Sequence, residues 1–254
     1  MNCRLKRLFL ILLLIWPLCV QGKIFVVLVG ISEYGPSYEN LTYCHQDAID
    51  MYGMLKAYTT PGRIILLTDK QAKHDSIVYY TKRLFSQAQP DDIVIFFFSG
   101  HGNANVFFAY DKSLYFNTLQ SIFRQTRARR KLIFADACFS GTLRKPGNQT
   151  ASANSNLGRQ TASANANPGK NVLLFLSSRS DQFAQENSAL KNGIFTYFLL
   201  AGLNGEADFN RDGYITAKEL FNFVNPKVKA QSDGTQIPVM WGKFNENMVI
   251  LKPK

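Results

Sequence analysis

The chain is poor in the residues that staple small folds together. Four cysteines in 254 residues are too few for a disulfide scaffold. Seventeen glycines and 9 prolines exclude a collagen-like or linker-dominated architecture. Beyond the first 20 positions no apolar run reaches the 18 or so residues of a membrane span, which excludes a multi-pass membrane protein. Acidic residues are also scarce, 18 against 29 Lys and Arg, for a net charge of +11. That excess does not form a nucleic-acid surface. No block of five like charges occurs, and the densest run, Arg127-Ala128-Arg129-Arg130-Lys131, reads as a solvated helix end. What remains is an ordinary globular composition, 46% hydrophobic and 19% charged, with enough chain for one large domain or two small ones.

The first 22 residues have the proportions of a secretory signal peptide. Arg4, Lys6 and Arg7 precede an apolar stretch from Leu8 to Leu18, and Val20 and Gly22 are small residues at −3 and −1 of a cut before Lys23. Export, secreted or periplasmic, is therefore expected, with no stable membrane association after cleavage. Trp16 and Leu18 are bulky where a lipoprotein site at Cys19 wants small residues, and the stretch is short for an anchor. Cleavage lowers the net charge to +8 and leaves two cysteines, Cys44 and Cys138. That count suits a reactive thiol or a regulatory Cys44–Cys138 pair. It says nothing of oligomeric state.

Residues 23–30 (KIFVVLVG), 63–68, 92–98, 131–135 and 172–176 are nearly continuous apolar runs, as strands buried on both faces are. Helical spacing marks residues 46–58, 75–88, 118–126, 195–203 and 216–224. A small hairpin is expected around Asp111-Lys112, and residues 248–251 as an edge strand. Strands alternating with helices predict an α/β fold, a mainly parallel sheet covered by helices on both faces. In such a sheet ligands bind beyond the carboxyl ends of the strands. Residues 142–170 break the pattern. They are rich in Asn, Ala, Ser, Thr and Gly and contain a tandem 11-residue duplication, QTASANSNLGR then QTASANANPGK. The segment reads as a flexible linker inside one domain spanning 23–254.

His101 follows the strand at 92–98 and Cys138 follows that at 131–135, so neighbouring parallel strands would deliver both side chains to one edge of the sheet. An imidazole beside a thiol is how a thiolate nucleophile is generated, and the flanking glycines leave amide N–H groups for a developing oxyanion. Either residue alone has a plainer reading, a small buried hydrophobe or a satisfied polar group.

The runs FFFSGHG (96–102) and KLIFADACFSG (131–141) resemble the paired motif of caspase-like cysteine peptidases, closest to the metacaspase-like and bacterial branch. VGIS (29–32), LTYCHQDA (41–48), QFAQE (182–186) and GIFT (193–196) agree in order. The resemblance implies a caspase-like three-layer sandwich and a cysteine endopeptidase with no cofactor required for the chemistry. It implies Cys138 as nucleophile, His101 as general base and then acid, and the backbone N–H groups of Gly102 and Cys138 as the oxyanion hole. Caspases proper carry Gln-Ala-Cys-Arg-Gly, whereas this chain has an acid, Asp136, two residues before the nucleophile. A carboxylate there favours a basic P1 residue (the one before the scissile bond) and repels aspartate. The resemblance places Asp136, Asp47 and Ser99 in such a pocket, so polypeptides with Arg or Lys at P1 are the expected substrates. Asp47 alone also reads as an acid in the first turn of a helix. Family members are often cut between two subunits in the segment holding residues 142–170. Arg144, Lys145, Arg159 and Lys170 are candidate self-processing positions there, and a tolerated repeat expansion reads equally well. The other class of function the fold admits is a catalytically silent binding or regulatory module.

Residues 208–219 match the EF-hand loop template, with Asp208, Asn210, Asp212, the Tyr214 carbonyl and Glu219 at ligand positions and Gly213 at the turn. A structural or regulatory calcium ion is one expectation. The other is an Asx turn leading into a helix whose capping box is Thr216 with Glu219.

Overall fold

Seven apolar residues in a row, IFVVLVG, can be satisfied only where both faces of a strand are covered, and β1 (Ile24–Gly30) is buried at every position. The chain continues through α1 (Cys44–Leu55), β2 (Ile64–Thr68), α2 (His74–Phe85) and β3 (Ile93–Gly100). Then come β4 (Gly102–Asn103), β5 (Val106–Phe108), β6 (Ser113–Tyr115), α3 (Phe116–Gln125), β7 (Arg130–Ala137) and β8 (Val172–Leu176). The last part is β9 (Glu186–Asn187), β10 (Asn192–Gly193), α4 (Ile194–Ala201), β11 (Ile215–Thr216), α5 (Ala217–Gln231), β12 (Val239–Trp241) and β13 (Val249–Leu251). This computed structural model describes residues 22–35, 38–103, 105–137, 171–179 and 182–254. Residues 1–21 of the leader, Cys138, and the 142–170 segment with Arg144, Lys145, Arg159 and Lys170 lie outside the described residues.

The main sheet runs β12-β8-β7-β3-β1-β2, parallel throughout except for β12 against β8. Side chains alternate across it. Phe96 and Phe98 enter the core cluster that also takes in residues of α2 and α3, whereas Ile95 and Phe97 enter the one shared with α1, α4 and α5. The fold is therefore the α/β sandwich expected, with helices on both faces. Ser99 and Asp136 are partners in the β3–β7 register and share the parity of Phe97 and Phe134. Alternation thus sends both toward the α1 and α4 side, where the end of the sheet meets Asp47.

Three details differ from expectation. Residues 249–251 form a strand, but it pairs with β11 away from the main sheet, whose antiparallel edge is β12. β12 is three residues long and follows Pro238, too short to show a period. α5 was expected to stop before Asn225-Pro226 yet runs to Gln231 with Pro226 inside it. Proline costs a helix interior about 3 kcal/mol. Here Val224 and Val228 on either side of it are buried in the core, and the Asn225 side chain donates to the Pro238 carbonyl at 2.7 Å. The small hairpin gains a third strand, β4, so Gly102 sits in a ladder opposite Phe107.

One buried carboxylate ties the starts of two strands. Asp92, 4% exposed, accepts from the Lys23 N–H at 2.7 Å and from the Gln89 N–H at 2.7 Å. Asp92→Ala removes both bonds to a charged acceptor and is expected to cost about 2–3 kcal/mol. Urea unfolding should show the midpoint falling with the slope unchanged.

Candidate active site

Ser99 and Asp136 from the sheet, Asp47 from α1 and Gly193 from β10 meet in one place, lining a cavity of about 420 Å³ that His101 and Gly102 also line. Asp47 has no exposed surface and Asp136 only 4%. Each carboxylate is held by first-turn and loop donors. Asp47 accepts from Ser99 Oγ at 2.7 Å, Asn192 Nδ2 at 3.0 Å and the Gly193 N–H at 2.9 Å. Asp136 accepts twice from Thr196, from the N–H at 3.1 Å and the hydroxyl at 2.8 Å. Thr196 is the third residue of α4, whose N–H has no partner within the helix, and the helix dipole favours a negative group there. A Cβ at Gly193 would fall 2.3 Å from one Asp136 oxygen and 3.1 Å from one of Asp47, so only glycine leaves room for both acids.

Burial has its electrostatic consequence. Asp47 is pushed well above the usual carboxylate range, first by desolvation and then by the charge of Asp136. Desolvation raises Asp136 to about 6 against the lowering effect of the Thr196 hydrogen bonds. Cys44 lines the same cavity, and burial together with Asp47 drives its thiol well above its ordinary value. It is a hydrogen-bond donor here, to Glu186 Oε1 at 3.6 Å. Glu186 also accepts the N–H groups of Thr42 and Tyr43, so the loop that follows β8 is latched to the start of α1.

His101 is held from the other side by the loop after β1. Its Nε2 lies 2.7 Å from the Glu39 carbonyl oxygen. A carbonyl only accepts, so Nε2 carries the hydrogen and the neutral ring keeps its basic lone pair on Nδ1. The His101 backbone N–H donates to the Tyr34 hydroxyl at 2.8 Å, and that hydroxyl donates to the Phe108 carbonyl at 3.2 Å. The Tyr34 and His101 rings are 4.7 Å apart. A Cβ on Gly100 would lie 2.5 Å from the Tyr34 oxygen, which accounts for glycine before the histidine. Gly100 pairs with Ala137 across the β3–β7 ladder, and the described chain stops there, one residue before Cys138.

The structure thus brings His101, Gly102, Asp47, Ser99 and Asp136 to one cavity at the carboxyl edge of the sheet. Sequence reasoning assigned no role to Tyr34, Glu186, Asn192, Gly193 or Thr196. The signal was present for most of them, since QFAQE and GIFT stood out as ordered matches, but nothing in a linear motif says which carboxylate it will hold.

The 208–219 loop is closed on itself. Asp208 accepts from the N–H groups of Asp212 and Gly213, Asn210 from Asp212, and Asp212 from Tyr214. Glu219 turns to Thr216, accepting its N–H at 3.0 Å and its hydroxyl at 2.7 Å, and the Thr216 oxygen accepts the Glu219 N–H, a complete capping box. Among the described residues no three His, Cys, Asp or Glu side chains converge as metal ligands. In this arrangement the Glu219 carboxylate serves the helix cap.

Two outcomes are expected from these contacts. Tyr34→Phe keeps the ring and loses the bridge between His101 and Phe108, and should lower kcat of any turnover that uses His101 by about tenfold with little change in KM. Millimolar calcium should leave the melting temperature unchanged. A rise that disappears in Asp208→Ala would instead show Glu219 leaving its cap to bind the ion.

A family model described as the caspase domain matches residues 23–249. No curated protein sequence matches the chain. Among solved structures, the caspase-1 of Spodoptera frugiperda is 16% identical, covering 92% of this chain and 91% of its own, with a TM-score of 0.67. A Geobacter sulfurreducens protein is 17% identical over 88% of this chain and 94% of its own, with a TM-score of 0.62. At such identity the structures speak for the fold. The family, one of cysteine peptidases that act on polypeptides, follows from the sequence model over nearly the whole of the described fold: the chain belongs to the caspase domain family.

Proposed function

We propose that the protein is an active cysteine endopeptidase that cuts polypeptides after Arg or Lys. The observation that carries this reading is the convergence of Asp47, Ser99 and Asp136 in the cavity that His101 lines. In this reading Nδ1 of His101 takes the proton of the Cys138 thiol, the thiolate attacks the scissile carbonyl, and the backbone N–H groups of Gly102 and Cys138 receive the oxyanion. The cationic P1 head is drawn to two acids buried out of water, where charge–charge attraction is strongest, while Asp or Glu at P1 is repelled. The chemistry uses no cofactor. Self-cleavage in 142–170 belongs to the same specificity, because Arg144, Lys145, Arg159 and Lys170 are its only cations and the segment has no acid. Export with cleavage before Lys23 is also supported locally: the new α-amine would stand where the Lys23 N–H now lies, 2.7 Å from Asp92.

Fluorogenic peptides with Arg, Lys, Asp or Ala at P1 test the reading. Wild-type protein should cut the first two, Cys138→Ala should cut none, and Asp136→Asn should lose about 10- to 100-fold in kcat/KM on the basic peptides. Mass spectrometry of the same preparations should show processing after a basic residue of 142–170 in wild type and none in Cys138→Ala. The pH profile should carry Asp136. Only its ionised form attracts the cation, so kcat/KM on Arg peptides should fall as pH drops through about 6. Its effect on stability has the opposite sign. The folded carboxyl takes up its proton before the unfolded one, so acidification from about 6 toward 3.8 makes this group less destabilising. Failure of reduced, folded protein to cut any peptide would favour the silent binding module.

A further inference from the structure

The leaving side of the site is built as well. Tyr38 is a large aromatic left 45% exposed on the loop that holds His101. Its ring stacks on Phe108 with centroids 4.8 Å apart and an interplanar angle of 22°, and lies 6.1 Å from the His101 ring. The loop is pinned around it. The Tyr38 N–H donates to Gly35, the Tyr34 N–H to the Asn40 side chain, the Leu41 N–H to Ser32, and the Glu39 carbonyl receives His101. A half-exposed tyrosine held flat on a phenylalanine is a preformed apolar shelf rather than a loose side chain. Neither Tyr38 nor Phe108 lines the acidic cavity, whereas His101 does. The imidazole therefore has the acids within one neighbourhood and the aromatic pair within another.

Peptide cleavage decides which part of a substrate each receives. The Cys138 sulfur bonds to the carbonyl carbon, the C–N bond breaks with its electron pair left on nitrogen, and that nitrogen takes the proton His101 holds. The residue carrying the departing amine (P1′) must then lie against His101. The P1 side chain occupies the cavity, so the P1′ side chain is left with the shelf.

We infer that the Tyr38–Phe108 stack is the P1′ subsite and that it accepts a bulky apolar or aromatic side chain. The inference rests on the peptidase reading above. It fixes a preference on the opposite side of the scissile bond from the acids. Among the described residues Phe183 is another exposed aromatic near the site, and it lines the acidic cavity itself and so belongs to the acyl side.

Internally quenched peptides with Arg fixed at P1 provide the test, varied at P1′ (Gly, Ser, Leu, Phe, Asp) and separately at P2. Wild-type protein should prefer Leu and Phe over Gly at P1′ by about 3- to 10-fold in kcat/KM, the range of a single aromatic contact. Tyr38→Ser should erase that preference and leave the Arg-over-Ala ratio at P1 unchanged. Tyr38→Phe should retain the preference. A wild-type enzyme that cuts after Arg without regard to P1′ overturns the subsite and spares the peptidase reading. A Tyr38→Ser variant that shifts the P2 preference, or slows every peptide alike, also overturns it. If wild-type protein cuts no peptide, both readings fall together.

Discussion

Asp47 and Asp136 are buried within a few ångströms of the same glycine, and the carboxyl edge of the molecule is organised around keeping them there. Two carboxylates so placed are expensive to desolvate and repel one another. The donors that offset this come from two stretches distant in sequence: Ser99 at the end of β3, and residues 192–196, where the Asn192-Gly193 pair leads into the first turn of α4 and Thr196. Each serves only if the main sheet, α1 and α4 keep their packing. The acids therefore depend on the core cluster between them, and the sequence at 192–196 is explained by them more than by any helix preference of its own.

The histidine belongs to a different mechanical unit. Its ring and its backbone are held by the loop after β1, through the Glu39 carbonyl and the Tyr34 hydroxyl, with Gly100 small enough to admit that hydroxyl. The partners in this clamp are a backbone carbonyl and a tyrosine hydroxyl, so no carboxylate holds the histidine in place. One side of the cavity is thus electrostatically adjustable and the other fixed. On the proposed reading, proton transfer uses the histidine side and selection of a charged substrate uses the acid side.

Much of this was legible in the residues. Continuous apolar runs mark β1, β3, β7 and β8, and the glycine-flanked His101 motif stands at the end of β3 as its spacing predicts. Parity then fixes what spacing alone could not: Ser99 and Asp136 share a face because they are ladder partners. The illegible parts share a physical cause. Glu186 and Thr196 act through hydrogen bonds to residues 142–144 and 60 positions away, which no local pattern encodes. Pro226 reads as a helix stop unless the burial of Val228 beyond it is known. The 208–219 loop satisfies a metal template and a capping template with the same residues, and the sequence cannot choose between them. In the structure Glu219 has chosen Thr216.

Cys44 shows what the cavity does to a thiol. Buried beside Asp47 and bonded to Glu186, it is held in the protonated state, poor as a nucleophile and suited to donating a hydrogen bond. On the proposed reading these same acids attract a cationic substrate, yet they are hostile to a thiolate, and a cysteine working at this edge needs an opposing influence. Two are available. One is the imidazole of His101, whose Nδ1 lone pair can take the proton. The other is the substrate, since a guanidinium or ammonium seated on the acids cancels the field that disfavours the thiolate. If the pocket takes a basic side chain as proposed, specificity and activation are linked: the side chain that fits the pocket is also the one that relieves it, whereas a neutral side chain would leave the field in place.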